Sequence, residues 1–205
     1  MVRGKGEFGD YEGDGGRLYV SDYPESRPGE DEWLTRVAGE EGDPICELAC
    51  GHGRLLFPLA RRGHTVVGLD RSHTLIQAAR EMAAQEPPEV RGRLSFTEGD
   101  MRQFDLGGQF RYIFIFFGGF GYLDRAEDRH SCLVAVRRHL VRGGLLEIED
   151  PTPGPESLTR DEMENHFRNA GLALESALSS HSLPLTPAGP AEPAVLYRLR
   201  APQSQ

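Results

Sequence analysis

The chain has 205 residues, a formal net charge of −9 and 38% hydrophobic residues, which suits one domain with one core. The acidic balance argues against a nucleic-acid surface, since phosphates need local positive charge, and no apolar run reaches the roughly 18–20 residues that span a bilayer. Three scattered cysteines, Cys46, Cys50 and Cys132, favour a reducing, cytoplasmic compartment. The cysteine spacing matches no zinc site, so we expect no metal. The charge and the lack of a long apolar run predict that neither nucleic acid nor a membrane is a partner.

The N-terminal region is rich in glycine and acidic residues, which predicts a flexible arm over residues 1–17. A single domain is expected over residues 18–201, with a short tail over 202–205. Tyr19, Tyr23 and Trp33 suggest that the segment after the arm packs on the domain. Two interpretations stay open: a lid with Tyr19 or Tyr23 near a ligand, or a simple anchor for the helix that contains Trp33.

From Pro44 onwards, apolar runs alternate with helical patterns. Because the strands read as continuous apolar runs, we expect burial on both faces. The sequence predicts an α/β fold: a Rossmann-like, doubly wound, mainly parallel seven-stranded sheet with helices on both faces. The expected strands are 45–49, 65–69, 93–97, 111–117, 144–148, 172–178 and 194–199, and the main helices are 31–38, 54–62, 73–85, 125–141 and 159–170.

The first strand ends in a glycine turn, E-x-x-x-G-x-G, formed by Glu47, Gly51 and Gly53. Asp70 closes the second strand, where a carboxylate can take both hydroxyls of a ribose. A dinucleotide would need a third glycine, but Leu56 stands there, so close helix–strand packing is not expected at that point. A carboxylate before the first glycine suits a cationic ligand better than a pyrophosphate.

Five segments in order resemble the core of the class I S-adenosylmethionine-dependent methyltransferases, over about three quarters of the chain. They are ICELACGHGRLLFPLARRGHTVVGLDRS (45–72), TEGDMRQFDL (97–106), RYIFIFFGGFGYL (111–123), LVRGGLLEIEDPTP (140–153) and SLTRDEMENHFRNAGL (157–172). The resemblance implies a methyltransferase of the small-molecule type, acting on an oxygen or nitrogen acceptor, with S-adenosylmethionine as cofactor.

The resemblance also assigns roles to individual residues. Glu47 would hold the methionine amine, Gly51 and Gly53 would pass beside the methionine moiety, and Asp70 would bind the ribose. The remaining expected cofactor contacts are Asp100 to the adenine amine, Met101 to the ring and the Phe117 backbone near the sulfonium. Substrate contacts are expected from Tyr23, Phe120 and Tyr122.

The short segment after the fifth strand leaves the function open. Relatives carry a long segment between the fifth strand and the late helix, whereas here Asp150 runs almost directly to Thr159. One alternative is therefore a methyltransferase-fold protein that binds cofactor without catalysis. A second alternative, based on the glycine turn, is a nicotinamide-dependent oxidoreductase, although Leu56 and Glu47 weigh against it. No catalytic residue is assigned, because Tyr122, Asp124 and His130 are weak candidates for a base, and the chain is expected to be a monomer or a homodimer.

Overall fold

A computed structural model of the chain describes residues 11–26, 29–149, 158–179, 186–187 and 196–203. The chain forms two compact units, Met1–Met101 and Arg102–Gln205. Most of the predicted arm, the short segment after Glu149 and most of the proline-rich loop before the last strand lie outside the described residues.

The first unit is a parallel β-sheet with helices packed on it. Strand β2 pairs on one side with β1 and on the other with β3, and all four β1 residues are buried. Helices α3 and α4 pack against β2 and β3. The elements are α1 (Gly13–Asp22), α2 (Glu30–Glu41), β1 (Ile45–Leu48), α3 (Leu56–Arg61), β2 (Val66–Asp70), α4 (His73–Gln85), α5 (Pro88–Arg91) and β3 (Leu94–Glu98).

Helix α1 was not expected from the sequence, and it begins inside the segment predicted to be a flexible arm. Its first residues include three glycines, which are poor helix formers. Gly16 explains the helix, because a Cβ there would lie 2.7 Å from Cγ2 of Thr74 and only glycine allows this contact with α4. Residues 13–17, which were predicted to belong to the flexible arm, are therefore helical. The limits of the domain, 18–201, remain a prediction.

Helix α3 packs closely against β2 because the strand has a glycine, Gly68, at the point of contact. A Cβ on Gly68 would lie 2.7 Å from Sγ of Cys50 and 2.8 Å from Cδ1 of Leu56. The expectation that Leu56 prevents close packing was therefore wrong, because the missing side chain is on the strand and not on the helix.

The second unit combines one parallel and several antiparallel strand pairs. Strand β4 pairs with β5 in parallel, β8 runs antiparallel to both β5 and β6, and β7 pairs with β6. The elements are β4 (Phe110–Ile115), a 3-10 turn (Gly119–Tyr122), α6 (Ala126–His139), β5 (Leu140–Glu149), α7 (Arg160–Asn169), β6 (Ala173–Ser179), β7 (Thr186–Pro187) and β8 (Leu196–Arg200).

The predicted fold class is confirmed for both units, and the two-residue β7 brings the strands of the described residues to eight. Helix α7 begins with a capping box, in which the Thr159 side chain accepts from the backbone of Glu162 and the Glu162 carboxylate accepts from Thr159. No helix among the described residues is both long and apolar enough to cross a membrane.

We expect Gly68→Ala to destabilise the protein by about 1–3 kcal/mol, because its methyl group would overlap Cys50, Leu56 and Phe96. Gly39→Ala is the matched control: a Cβ at this α2 position meets no atom within 4 Å, and alanine should stabilise a helix interior by up to about 1 kcal/mol. Urea unfolding of both variants measures the difference. Equal stability of the two variants would contradict this account of the packing.

Candidate functional site

The turn after β1 uses three residues in the left-handed backbone region. Ala49, Gly51 and Gly53 have φ of 56°, 56° and 81°. Sequence reasoning recognised the two glycines but not Ala49, whose side chain costs about 1–2 kcal/mol in this conformation. Gly53 has no room for a side chain, since its Cβ would lie 2.6 Å from the Phe96 ring.

Asp70 connects this turn to the end of β2. Its Oδ2 accepts from the Gly51 backbone N–H at 2.8 Å, and its Oδ1 accepts from the Ser72 N–H at 2.9 Å. Burial raises the pKa of Asp70, and the two backbone hydrogen bonds act in the opposite direction. The structure therefore brings Asp70 and Gly51, two of the predicted site residues, into direct contact.

Glu47, near the carboxyl end of β1, is a buried carboxyl group with only 4% of its surface exposed. Its Oε2 has no hydrogen-bond partner among the described residues. Burial raises its pKa well above the usual 4.5, Arg54 lowers it, and Glu30 and Asp70 raise it. A cation placed against Glu47 would relieve this unfavourable burial of charge.

Arg54 follows the glycine turn and forms a buried ion pair with Glu30, the first residue of α2. The two guanidinium nitrogens lie 2.6 and 3.3 Å from the two carboxylate oxygens. Such a two-point pair fixes geometry as well as charge. It holds the start of α2 against the glycine turn.

Tyr19 of α1 lies directly on the glycine turn. A Cβ on Gly51 would be 3.3 Å from the Tyr19 ring. The ring also contacts His52 edge-on, with centroids 5.8 Å apart, and Tyr23 at 5.2 Å. The structure thus brings Tyr23, a predicted substrate residue, to the same cluster as Tyr19.

The ionisation of this aromatic cluster is shifted by burial. Burial, helped by the nearby Arg54 charge, lowers the pKa of His52 to about 4. Burial raises the pKa of Tyr19, so both side chains are neutral near pH 7. A histidine with such a low pKa is a weak base, so His52 is a poor candidate for a general base.

The other end of the N-terminal segment is attached to the first turn of α4. The Glu12 carboxylate accepts from the backbone N–H groups of His73 and Thr74, at 2.8 and 3.1 Å, and from the Thr74 hydroxyl at 2.7 Å. The hydrogen bond from the Thr74 hydroxyl is the main reason why the pKa of Glu12 is lowered. The Ser72 hydroxyl donates to the Tyr11 carbonyl at 2.7 Å. A negative charge at a helix N-terminus is favourable, so this attachment stabilises both segments.

Asp100 and Met101 follow β3 and are both half-buried. They lie at the carboxyl end of their strand, as Glu47 and Asp70 do on theirs. Among the described residues, no group of three or more His, Cys, Asp or Glu side chains could hold a metal ion.

In the second unit, Phe117 lies in a sharp turn after β4. The carbonyl of Phe116 accepts from the Gly119 N–H at 3.2 Å. The two central residues, Phe117 and Gly118, have φ of 57° and 73°, as in a type I′ turn, where glycine or asparagine is usual. Phenylalanine in this conformation costs about 1–2 kcal/mol.

Glu149, at the end of β5, offsets that cost. Its carboxylate accepts a 2.7 Å hydrogen bond from the Phe117 N–H. Hydrogen bonds to charged groups contribute about 1.5–3 kcal/mol, which is enough to hold the strained turn.

The remaining predicted residues of this unit have contrasting exposure. Phe120 is buried, whereas Tyr122 is 40% exposed. Asp124 and His130 are exposed, so the structure gives neither the enclosed setting expected of a general base.

Sequence reasoning missed three polar contributors: Glu30, Arg54 and Glu149. Arg54 directly follows the glycine turn, and Glu149 is one of two acidic residues in the otherwise apolar run 145–149. A charged residue in a buried strand is costly, and that cost was the available signal.

Residues 45–144 match the profile of a family described as a methyltransferase domain. Over 116 residues the chain is 28% identical to the dTDP-3-amino-3,4,6-trideoxy-alpha-D-glucopyranose N,N-dimethyltransferase of Streptomyces venezuelae, covering 57% of this chain and 46% of that one. Over 72 residues it is 43% identical to the magnesium-protoporphyrin O-methyltransferase of Rhodobacter capsulatus, covering 35% and 30%. The chain thus spans less than half the length of these curated relatives.

The crystal structure of the glycopeptide N-methyltransferase MtfA, complexed with S-adenosylmethionine, is similar in fold. The TM-score is 0.69 at 23% identity, over 89% of this chain and 96% of that one. Residues 45–144, just under half of the chain, therefore match the methyltransferase-domain family, and the chain has the fold of S-adenosylmethionine-dependent methyltransferases.

Proposed function

We propose that this chain is an S-adenosylmethionine-dependent methyltransferase whose acceptor is an oxygen or nitrogen atom of a small molecule. The observation that carries the proposal is the buried Glu47 carboxyl, whose Oε2 has no hydrogen-bond partner among the described residues. It lies near the glycine turn and Asp70, where an ammonium group would supply the missing partner. The two curated relatives described above, one an N- and the other an O-methyltransferase, support both acceptor types.

The proposed contacts follow the family pattern. Glu47 holds the methionine amine, and Gly51 and Gly53 leave room for the methionine moiety. Asp70 takes the ribose hydroxyls, since each carboxylate oxygen can accept a second hydrogen bond besides those from Gly51 and Ser72. The other proposed cofactor contacts are Asp100, Met101 and the Phe117 backbone.

When bound, S-adenosylmethionine supplies an electrophilic methyl group on a sulfonium. The chain's own task is then to orient the acceptor and exclude water. Tyr23, Phe120 and Tyr122 are the proposed acceptor contacts, and no residue is assigned as general base. A cytoplasmic monomer or homodimer without nucleic-acid partners remains part of the proposal.

The direct test is calorimetry with S-adenosylhomocysteine and with NAD. We expect micromolar binding of the former, about −7 to −8 kcal/mol, and no competition from NAD. Acceptor screening then follows formation of S-adenosylhomocysteine from S-adenosylmethionine across small amines and alcohols. Binding of NAD alone would favour the oxidoreductase, and cofactor binding without any turnover would favour the non-catalytic alternative.

Glu47→Gln should weaken S-adenosylmethionine binding at least about tenfold, because a charge-assisted hydrogen bond to the amine is lost. In the wild type, a bound ammonium lowers the raised pKa of Glu47, so binding to the protonated carboxyl releases a proton and affinity falls as the pH is lowered. The variant should lose the part of this pH dependence that Glu47 causes. Calorimetry at several pH values measures both effects, and an unchanged affinity at every pH would refute the role of Glu47.

The raised pKa of Glu47 also predicts the variant's stability. The contribution of Glu47 to the free energy of unfolding is present below the usual pKa of 4.5, and it is lost as the pH rises through the folded-state pKa. Removing the charge should therefore not lower the melting temperature of the unliganded protein at neutral pH. This melt is the control showing that any loss of affinity is not a loss of fold.

Tyr19→Ala tests whether the N-terminal segment covers the cofactor or only anchors α2. As a cover, Tyr19 should contribute about tenfold to S-adenosylhomocysteine affinity with little effect on the unliganded melting temperature. Leu18→Ala is the matched control, because this neighbouring α1 residue is 45% exposed. A lower melting temperature with unchanged affinity would identify Tyr19 as an anchor.

A further inference from the structure

The turn after β4 has a backbone geometry that its own sequence does not favour. Phe117 adopts a positive φ although its bulky side chain disfavours that region. The turn closes through the hydrogen bond from Gly119 to Phe116, and the left-handed Gly118 completes it without strain. Something outside the turn must therefore hold Phe117 in place.

Glu149 is that element, and the strand register explains how it reaches the turn. Ile115 at the end of β4 pairs with Ile148 of β5, so Glu149 lies beside the residues that leave β4. Its buried carboxylate accepts from the Phe117 N–H at 2.7 Å. Because the peptide unit is planar, fixing this N–H also fixes the Phe116 carbonyl on the opposite side, where Gly119 binds it.

We infer that Glu149 is a positioning residue for methyl transfer, acting through the Phe117 peptide. The inference rests on the proposed function, in which the Phe117 backbone lies near the sulfonium. The Phe116 carbonyl belongs to this peptide. Held in one orientation, its dipole stabilises a nearby positive charge without reorganising when the cofactor binds. Glu149 therefore favours the charged cofactor over neutral S-adenosylhomocysteine.

Glu147 is a buried carboxylate on the same face of β5, two residues earlier, and it has different partners. The Tyr112 hydroxyl donates to it, and Nε of Arg198 lies 2.9 Å from its Oε1. These partners belong to β4 and β8, so Glu147 joins three strands of the second unit. It provides a control for the loss of a buried carboxylate on β5 that leaves the Phe117 turn untouched.

The experiment measures the affinities of S-adenosylmethionine and S-adenosylhomocysteine, and the melting temperature, for Glu149→Ala, Glu149→Gln and Glu147→Gln. We expect Glu149→Ala to reduce the preference for the sulfonium form about fivefold to tenfold. Glu149→Gln should stay within about twofold of wild type, because its amide oxygen can still accept from Phe117. Glu147→Gln should lower the melting temperature and keep the wild-type preference.

A second experiment uses the Phe117→Gly variant to test whether Glu149 acts through the Phe117 backbone. Glycine adopts positive φ freely, so in Phe117→Gly the added Glu149→Ala change should alter the preference less than about twofold. This pair also keeps the inference testable should Glu149→Ala alone not fold.

Three results would overturn the inference. They are an unchanged preference in Glu149→Ala, an equal loss in Glu149→Gln, and an undiminished loss in the Phe117→Gly background. In each of these cases wild-type cofactor binding, and with it the proposed function, still stands. Failure of the wild type to bind either compound would instead refute the proposed function itself.

Discussion

The Asp70 carboxylate is the interaction on which the first unit's candidate site depends. It accepts from Gly51 in the glycine turn and from Ser72 before α4, and Ser72 in turn binds the Tyr11 carbonyl. One buried side chain thus links the turn, the end of β2 and the N-terminal segment. Its ionisation is opposed by burial and supported by backbone N–H groups, so the site is already arranged for a ligand that brings further hydrogen-bond donors.

Three buried carboxylates show how the surroundings decide the role of a side chain. Glu147 is held by a tyrosine hydroxyl and an arginine, and it joins strands. Glu149 holds a strained backbone turn by accepting a hydrogen bond from the Phe117 N–H. Glu47 has an oxygen with no partner among the described residues, although Arg54 lies near enough to lower its pKa. Of the three, Glu47 is the one with an oxygen that a hydrogen-bond donor of a ligand would satisfy.

The sequence predicted most of the strands and helices well, because their patterns are local. The helix from His73 to Gln85 was located to the residue. Helix α1 was missed because its stability comes from contacts made at a distance, with Gly16 lying on Thr74. The Phe117 turn was missed because phenylalanine contradicts the usual turn residues, and its compensating partner is 32 residues away. Glu47, Gly51 and Asp70 were found because their spacing follows from strand ends, whereas the contacts of Tyr19 and Arg54 depend on how α1 and α2 pack.

The attachment of Glu12 to α4 has a consequence for hydrogen exchange. The first backbone N–H groups of a helix usually lack intrahelical acceptors and exchange rapidly with solvent. Here the amides of His73 and Thr74 donate to Glu12, so their protons are protected only while the N-terminal segment is docked. Their exchange rates therefore report the opening of that segment directly, at positions within α4, without a label on the segment itself.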